Sequence, residues 1–475
     1  MKRMGRYKYL ANNIALFSVS NFVSKILVFL LVPLYTSTLT TKEYGIVSVM
    51  QVTMLLLVPA LTINIGEGAL RFALEREEKR GAILRIGLKY TAVAALIVAA
   101  GCILATLFVP TSLKKYLIFF IFLFAMNALY EFLVLFFQGS EMVPIVVCGS
   151  IFCTLVMIGS NLLFLLVLKI GLNGYLLAQI LSFAMGATLM LLLSAKQIHM
   201  QNRIKDQELE AEMLAYGKPL ILYSTSSWIN NASDRYIVTA MCGSAVNGVY
   251  GVAYNIPAIL TVFQRIFAQA WQMSATKSHK DEDSGTFFST MYQTYQAFMV
   301  LGCSFLIMIT RLLAGFLFQK DFYEAWRFVP PLLISIIFGA LTGFLGSICL
   351  AHKDSKSMGI ATGIGAAVNI VLNILSIPYL GALGAAIATA ISYYLMYLIA
   401  FLLIRKHVKL SVNLIRDYAS YVIVVIQSVL IINEVKYAYP IVIVLFVALI
   451  LLYLREAYAI AGKLLQYVKQ KGKGE

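Results

Sequence analysis

The sequence predicts an all-α, polytopic membrane protein of about 14 transmembrane helices, arranged as two six-helix bundles related by a parallel repeat plus two C-terminal helices. Three observations carry this prediction. Hydrophobic residues make up 60% of the 475-residue chain and charged residues only 13%, where soluble proteins carry about 25%. Apolar runs of about 20 residues, the length that crosses a bilayer, recur from end to end. A polar pattern in the first run returns in the seventh, 206 residues later.

Segmented at that length, the spans fall near 12–35, 44–66, 82–109, 115–138, 143–168 and 173–195, then 214–241, 246–273, 287–313, 328–351, 356–379 and 382–404, and finally 415–433 and 438–455. The first run follows a basic tail and continues past Pro33 without a small-residue cleavage site, so it reads as an uncleaved span. Pro257 and Pro378 are expected to break or end helices. The polar connection 197–216 is rich in acids (Asp206, Glu208, Glu210, Glu212) and reads as a short surface helix between the halves. Glu67 and Arg71, four apart, read as an interfacial pair. The expected divisions are 1–200 and 201–408 for the two bundles and 409–475 for the added helices and a basic tail.

Charge sets the orientation. With the N-terminus inside, 26 of the 38 Lys and Arg fall in inner segments and 8 in outer ones. That bias puts both termini in the cytoplasm, and it accounts for the net charge of +16 without nucleic acid as a partner. The other four cations, Lys25, Lys89, Arg235 and Arg265, lie within or at the edges of spans. Six scattered cysteines suit packing rather than disulfides or metal. All four histidines fall in inner loops and are expected to be solvated. No loop is long enough for a soluble catalytic domain, and no phosphate loop, metal cluster or nucleophile triad is present. Catalytic residues, metal and cofactor are therefore all expected to be none, and the chain is not read as an enzyme.

Ser18, Asn21 and Lys25 are spaced by three and four residues, so they share one helix face inside the first span. A lysine near the bilayer centre costs about 2.5–3.5 kcal/mol and as a rule faces a bundle interior or a watery cavity. The 206-residue offset carries Ser18–Lys25 onto Ser224–Asn231 and Tyr44-Gly45 onto Tyr250-Gly251, and an offset of 210 carries Gly171–Gly174 onto Gly381–Gly384. The second copy supplies Ser224, Ser227, Asn231 and Asp234 or Arg235 at helical spacing. Lone serines in such faces are commonly helix–helix glue. Lys25, Asn231 and Arg235 are read as cavity lining. Arg265 is either a substrate contact or a cation that snorkels to the inner surface. Asp234 sits beside Arg235, but adjacent helix positions do not face each other, so a pairing with Lys25 across the interface is the alternative for it. Glu131, one turn from Asn127, is either a seat of ion coupling or a packed, protonated carboxyl. A cationic, hydroxyl-lined interior suits an anionic substrate that bears sugars.

The stretch Phe17-Ser18-Val19-Ser20-Asn21-Phe22-Val23-Ser24-Lys25, then Pro33-Leu34-Tyr35, Lys42-Glu43-Tyr44-Gly45 and Asn373–Thr389, resembles the Wzx-type polysaccharide flippases of the multidrug/oligosaccharidyl-lipid/polysaccharide exporter superfamily. The resemblance implies a bacterial inner-membrane protein whose two bundles rock about a central cavity. It implies an undecaprenyl-pyrophosphate-linked oligosaccharide as cargo, destined for O-antigen, capsule or exopolysaccharide, with Lys25 and Arg235 or Arg265 as the nearest matches to the family's cavity cations. Membrane lipids, H+ or Na+ as coupling ion (through Glu131 or Asp234), and the polymerase and glycosyltransferases of the pathway are the expected partners. The alternatives are a lipid II flippase, a multidrug or cation antiporter, and, further off, a membrane glycosyltransferase or polymerase.

Overall fold

A computed structural model of the chain describes residues 27, 29–108, 110–195, 206–278, 284–352 and 354–454. Among the described residues all regular structure is helical. The chain divides into two compact units, Met1–Ile229 and Asn230–Glu475.

In the first unit, α1 (Val32–Thr38) carries Pro33 in its opening turn, where a missing N–H is harmless. A capping box starts α2 (Thr41–Leu61): the Thr40 hydroxyl accepts from the Glu43 N–H (3.3 Å) and the Glu43 carboxylate accepts from the Thr40 N–H (2.9 Å). The chain then turns through Ile63 and Asn64, both left-handed at φ 55° and 48°. Next come α3 (Ile65–Glu75), α4 (Arg80–Ala105), α5 (Thr111–Gly139), α6 (Val143–Asn161, prolonged by a π-helical turn Leu162–Val167) and α7 (Gly171–Ser194). Arg71 pairs with Glu75 (3.0 Å) rather than with Glu67, one turn onward instead of one turn back.

The acidic connection is not a separate surface helix. Residues 207–216 form the opening turns of one continuous helix, α8 (Gln207–Cys242). Leu209 and Met213 on one face of these turns are fully buried. The acids on the other face are neutralised: Asp206 by Lys79 (2.8 Å), Glu212 by Arg76 (2.6 Å), and Glu210 by Lys89 (2.6 Å) and the Tyr90 hydroxyl (2.8 Å). Lys79 and the Leu209 N–H hold the Asp206 carboxyl below its ordinary range. Closer to the membrane, α8 runs so near the turn after α2 that a Cβ built on Gly217 would lie 2.0 Å from the Ile63 carbonyl oxygen.

The second unit contains α9 (Ser244–Ala253), α10 (Asn255–Ser278), α11 (Ser284–Leu317), a 3-10 turn Lys320–Arg327, α12 (Val329–Ala351), α13 (Ser355–Leu380), α14 (Ala382–Ile404), α15 (Leu414–Ile432) and α16 (Ala438–Leu452). Its centre is α12, with 78% of its most apolar stretch buried. The two added helices are fastened by buried polar contacts. Gln296 donates to the Tyr421 hydroxyl (3.0 Å), Ser304 to the Gln427 side chain (2.7 Å), and Gln427 to the Val442 carbonyl (3.0 Å). Amides and hydroxyls act here as interhelical glue. Asn369, Asn373 and Thr389 do the same between α13 and α14.

Ten described helices are long and apolar enough to cross a membrane, and the α9–α10 pair, bent by 42°, adds an eleventh. Three of the predicted spans lie outside that set. The first falls mostly outside the described residues, the polar face of α8 interrupts its apolar run, and α16 is 15 residues long. The α9–α10 bend sits at Tyr254, three residues before Pro257, and Pro378 occupies the last turn of α13. Both prolines thus act where expected.

Gly171 opens α7 and Gly381 precedes α14, both at positive φ, +56° and +58°. Three residues on, Gly174 and Gly384 each admit a close neighbour, with a Cβ at 2.9 Å from Phe164 Cβ and 2.7 Å from the Ser376 carbonyl oxygen respectively.

Two histidines depart from the solvated reading. His352 and His407 stack with ring centres 4.8 Å apart, and His407 Nε2 lies 2.8 Å from an Asp354 oxygen that also meets Lys406 Nζ at 2.6 Å. The Lys406, His407 and Ser357 contacts hold the Asp354 carboxyl far below its ordinary range. His199 and His279 lie outside the described residues.

Candidate functional site

The polar face of α8 is the scaffold of the site in the second unit. Its run Asn230–Arg235 interrupts the apolar character of the helix, and each polar side chain meets a specific neighbour. Asn230 is buried and donates to the Thr362 carbonyl on α13 (3.2 Å). Asn231, at an exposed position, accepts from the Tyr393 hydroxyl on α14. Gly339 on α12 makes room for the Tyr393 ring, which approaches to 3.2 Å from where a Cβ would be.

Asp234 is the most enclosed acid of this face, 3% exposed. Its Oδ2 accepts from two hydroxyls, Tyr250 (2.5 Å) and Tyr254 (2.7 Å). The tyrosines are one turn apart, at the end of α9 and at the bend that follows it, with their oxygens 3.1 Å apart and their rings edge to face. The Arg235 guanidinium lies 4.6 Å from the centre of the Tyr254 ring. Adjacent positions 234 and 235 therefore do act on a common partner, one through the hydroxyl of Tyr254 and the other through its face. The backbone N–H of Arg235 also donates to Asp234 Oδ1 (2.8 Å). Lys25, the partner expected for Asp234, lies outside the described residues.

The other expected residues are dispersed. Ser18, Asn21 and Lys25 lie outside the described residues. Ser227 is exposed on α8, one turn before Asn231. Ser224 behaves as glue, its hydroxyl 3.4 Å from the Asn64 side-chain oxygen, and nearby Trp228 donates to the Val52 carbonyl (2.6 Å). Arg265 is exposed on α10, and among the described residues no carboxylate lies within salt-bridge distance of it or links it to Asp234. Glu131 belongs to the first unit, where Asn127 donates to it across 3.4 Å. Its position is exposed.

The sequence reading missed Tyr250, Tyr254 and Tyr393. A signal for the first was present, since Tyr250-Gly251 is the repeat partner of Tyr44-Gly45. Chemically, the cluster offers a buried carboxylate that can take up a proton or cation, next to a cation backed by an aromatic face. Among the described residues no group of His, Cys, Asp and Glu is arranged to hold a metal ion.

Residues 10–272 match the family described as polysaccharide biosynthesis protein. An uncharacterized membrane protein of Methanocaldococcus jannaschii is 25% identical over 264 residues, covering 52% of this chain and 62% of that protein. The chain thus spans under two thirds of that relative's length. Among solved structures, the lipid II flippase MurJ in an inward closed conformation superposes with a TM-score of 0.67 at 17% identity, covering 95% of this chain and all of that one. An inward-facing multidrug resistance MATE family transporter of the MOP superfamily gives 0.65 at 14% identity, covering 83% and 95%. The chain belongs to the polysaccharide biosynthesis protein family, and it is built on the fold that MurJ and the MATE transporters share.

Proposed function

We propose that the protein is a flippase that moves an undecaprenyl-pyrophosphate-linked oligosaccharide across the cytoplasmic membrane by alternating access, for assembly of a surface polysaccharide. The family match supports the pathway. The observation that carries the chemistry is Arg235 held over Tyr254 beside an exposed, hydroxyl-bonded Asn231. A guanidinium suits a pyrophosphate, and amides and hydroxyls suit sugars. In this reading 1–200 and 201–408 are the repeated bundles, 409–475 is accessory, and both termini face the cytoplasm, as the Lys and Arg bias requires. Lys25, Ser18, Asn21, Ser227 and Arg265 complete the cargo contacts. Asp234 takes up the coupling ion, H+ or Na+, with Glu131 as the second acid.

The test is transport of a fluorescent lipid-linked oligosaccharide into proteoliposomes. Arg235→Gln should slow it about thirtyfold, in line with a desolvated cation–aromatic contact of about 2 kcal/mol, with Arg235→Lys falling between. Equal rates for wild type and Arg235→Gln would overturn the cavity role. A second reading, lipid II as cargo, rests on the MurJ likeness over 95% of the chain. Faster transport of lipid II than of the oligosaccharide would favour it.

A further inference from the structure

The run Arg405-Lys406-His407-Val408-Lys409 follows the last turn of α14. The fold sorts its basic groups into two sets. Lys406 and His407 turn to Asp354, at 2.6 and 2.8 Å. Arg405 and Lys409 instead line a cavity of about 370 Å³ between the end of α14 and the start of α15. Among the described residues neither has a carboxylate within salt-bridge distance. Arg405 is braced by the Phe401 ring, 5.3 Å from its guanidinium carbon.

The other walls of the cavity are apolar, with Phe401, Ile404, Val408 and Leu414 prominent. Its volume lies within the range of small-molecule sites, about 300–1,000 Å³. Its place is the boundary of the membrane, since one span ends at Ile404 and the next begins at Leu414. The charge bias assigns this side to the cytoplasm, where the leaflet is anionic. A water-soluble anion would gain nothing from four apolar walls, and a neutral lipid would gain nothing from two cations without carboxylate partners. An amphiphile with an anionic head satisfies both.

We propose that this cavity binds one anionic phospholipid of the adjoining leaflet, its phosphate between Arg405 and Lys409 and the first carbons of its acyl chains against Phe401, Ile404, Val408 and Leu414. The assignment is independent of the cargo proposed above. It makes the lipid a resident of the second unit at the α14–α15 connection.

The experiment is native mass spectrometry of the full chain released from nanodiscs containing equal phosphatidylglycerol and phosphatidylcholine. Wild type should retain phosphatidylglycerol in clear preference. Each basic residue near an anionic surface contributes about fivefold, so Arg405→Gln/Lys409→Gln should bring the ratio close to one. Lys436→Gln, far along the chain in the α15–α16 connection, should leave it unchanged. If the double variant does not fold, Lys409→Gln alone, at an exposed loop position, should lower the ratio about fivefold. A wild-type ratio in whichever variant folds overturns the proposal. Displacement by inorganic phosphate at equal concentration would make the site one for a soluble anion, and stronger competition by undecaprenyl phosphate would reassign it to cargo. Either result also overturns the proposal.

Discussion

Asp234 and Tyr254, twenty positions apart, are joined by a hydrogen bond of 2.7 Å at the 42° bend between α9 and α10. Tyr250 reaches the same carboxylate oxygen from one turn earlier. Hydrogen bonds to a charged group contribute about 1.5–3 kcal/mol each. Tyr250→Phe and Tyr254→Phe should each lower the thermal midpoint in detergent, and each loss should shrink in an Asp234→Asn background. Losses that add within about 0.5 kcal/mol would mean that the hydroxyls do not act through Asp234.

Gly217→Ala tests the close approach of α8 to the turn after α2. Alanine is the better helix former by about 1 kcal/mol. The added carbon would nonetheless lie 2.0 Å from the Ile63 carbonyl oxygen, a backbone atom that cannot rotate away. Overpacking of this kind costs about 1–3 kcal/mol, so the yield of folded protein should fall. Gly101→Ala and Gly315→Ala, where a Cβ meets nothing within 4 Å, should be neutral or slightly stabilising. Equal behaviour of all three variants would contradict the packing described.

The acidic start of α8 yields a charge-reversal test. Lys89→Glu should raise amide exchange in residues 206–214 by setting two acids against each other, and adding Glu210→Lys should restore protection. Because Lys89 is half exposed, the expected cost is small, and it should fade at high salt. No rescue in the double variant would show that the pair is incidental.

Asp354 makes stability depend on pH with a definite sign. Lys406, His407 and Ser357 depress its folded-state pKa. The contribution is therefore complete above the unfolded carboxyl value of about 3.9 and is lost progressively as pH falls from there toward the lower folded value. The gap in thermal midpoint between wild type and Asp354→Asn should begin to narrow as pH falls below about 4 and go on narrowing toward pH 2.5. A gap that stays constant down to pH 2.5 would contradict this linkage.

Span positions were legible because they depend on local composition, and α2, α5, α7, α12 and α14 fall within a few residues of the apolar runs. Composition misled at residues 207–216, where acids break the hydropathy but not the helix, since Leu209 and Met213 bury the opposite face. Asn231, Asp234 and Arg235 stand out in the sequence because polar residues in an apolar run declare themselves. Their tyrosine partners do not, because a tyrosine is ordinary in such a run and only tertiary geometry decides which hydroxyl meets which carboxylate. Tyr254 meets both Asp234 and Arg235, a convergence that pairwise helix spacing cannot reveal.

The polar seam between α11 and α15 also bears on how the protein is made. Gln296 and Ser304 receive their partners Tyr421 and Gln427 only after more than a hundred further residues have been synthesised. Until then α11 has two polar groups in the bilayer that await those partners. A chain ending before Leu414 would lack both partners, so the added helices complete the hydrogen bonding of α11 late in synthesis.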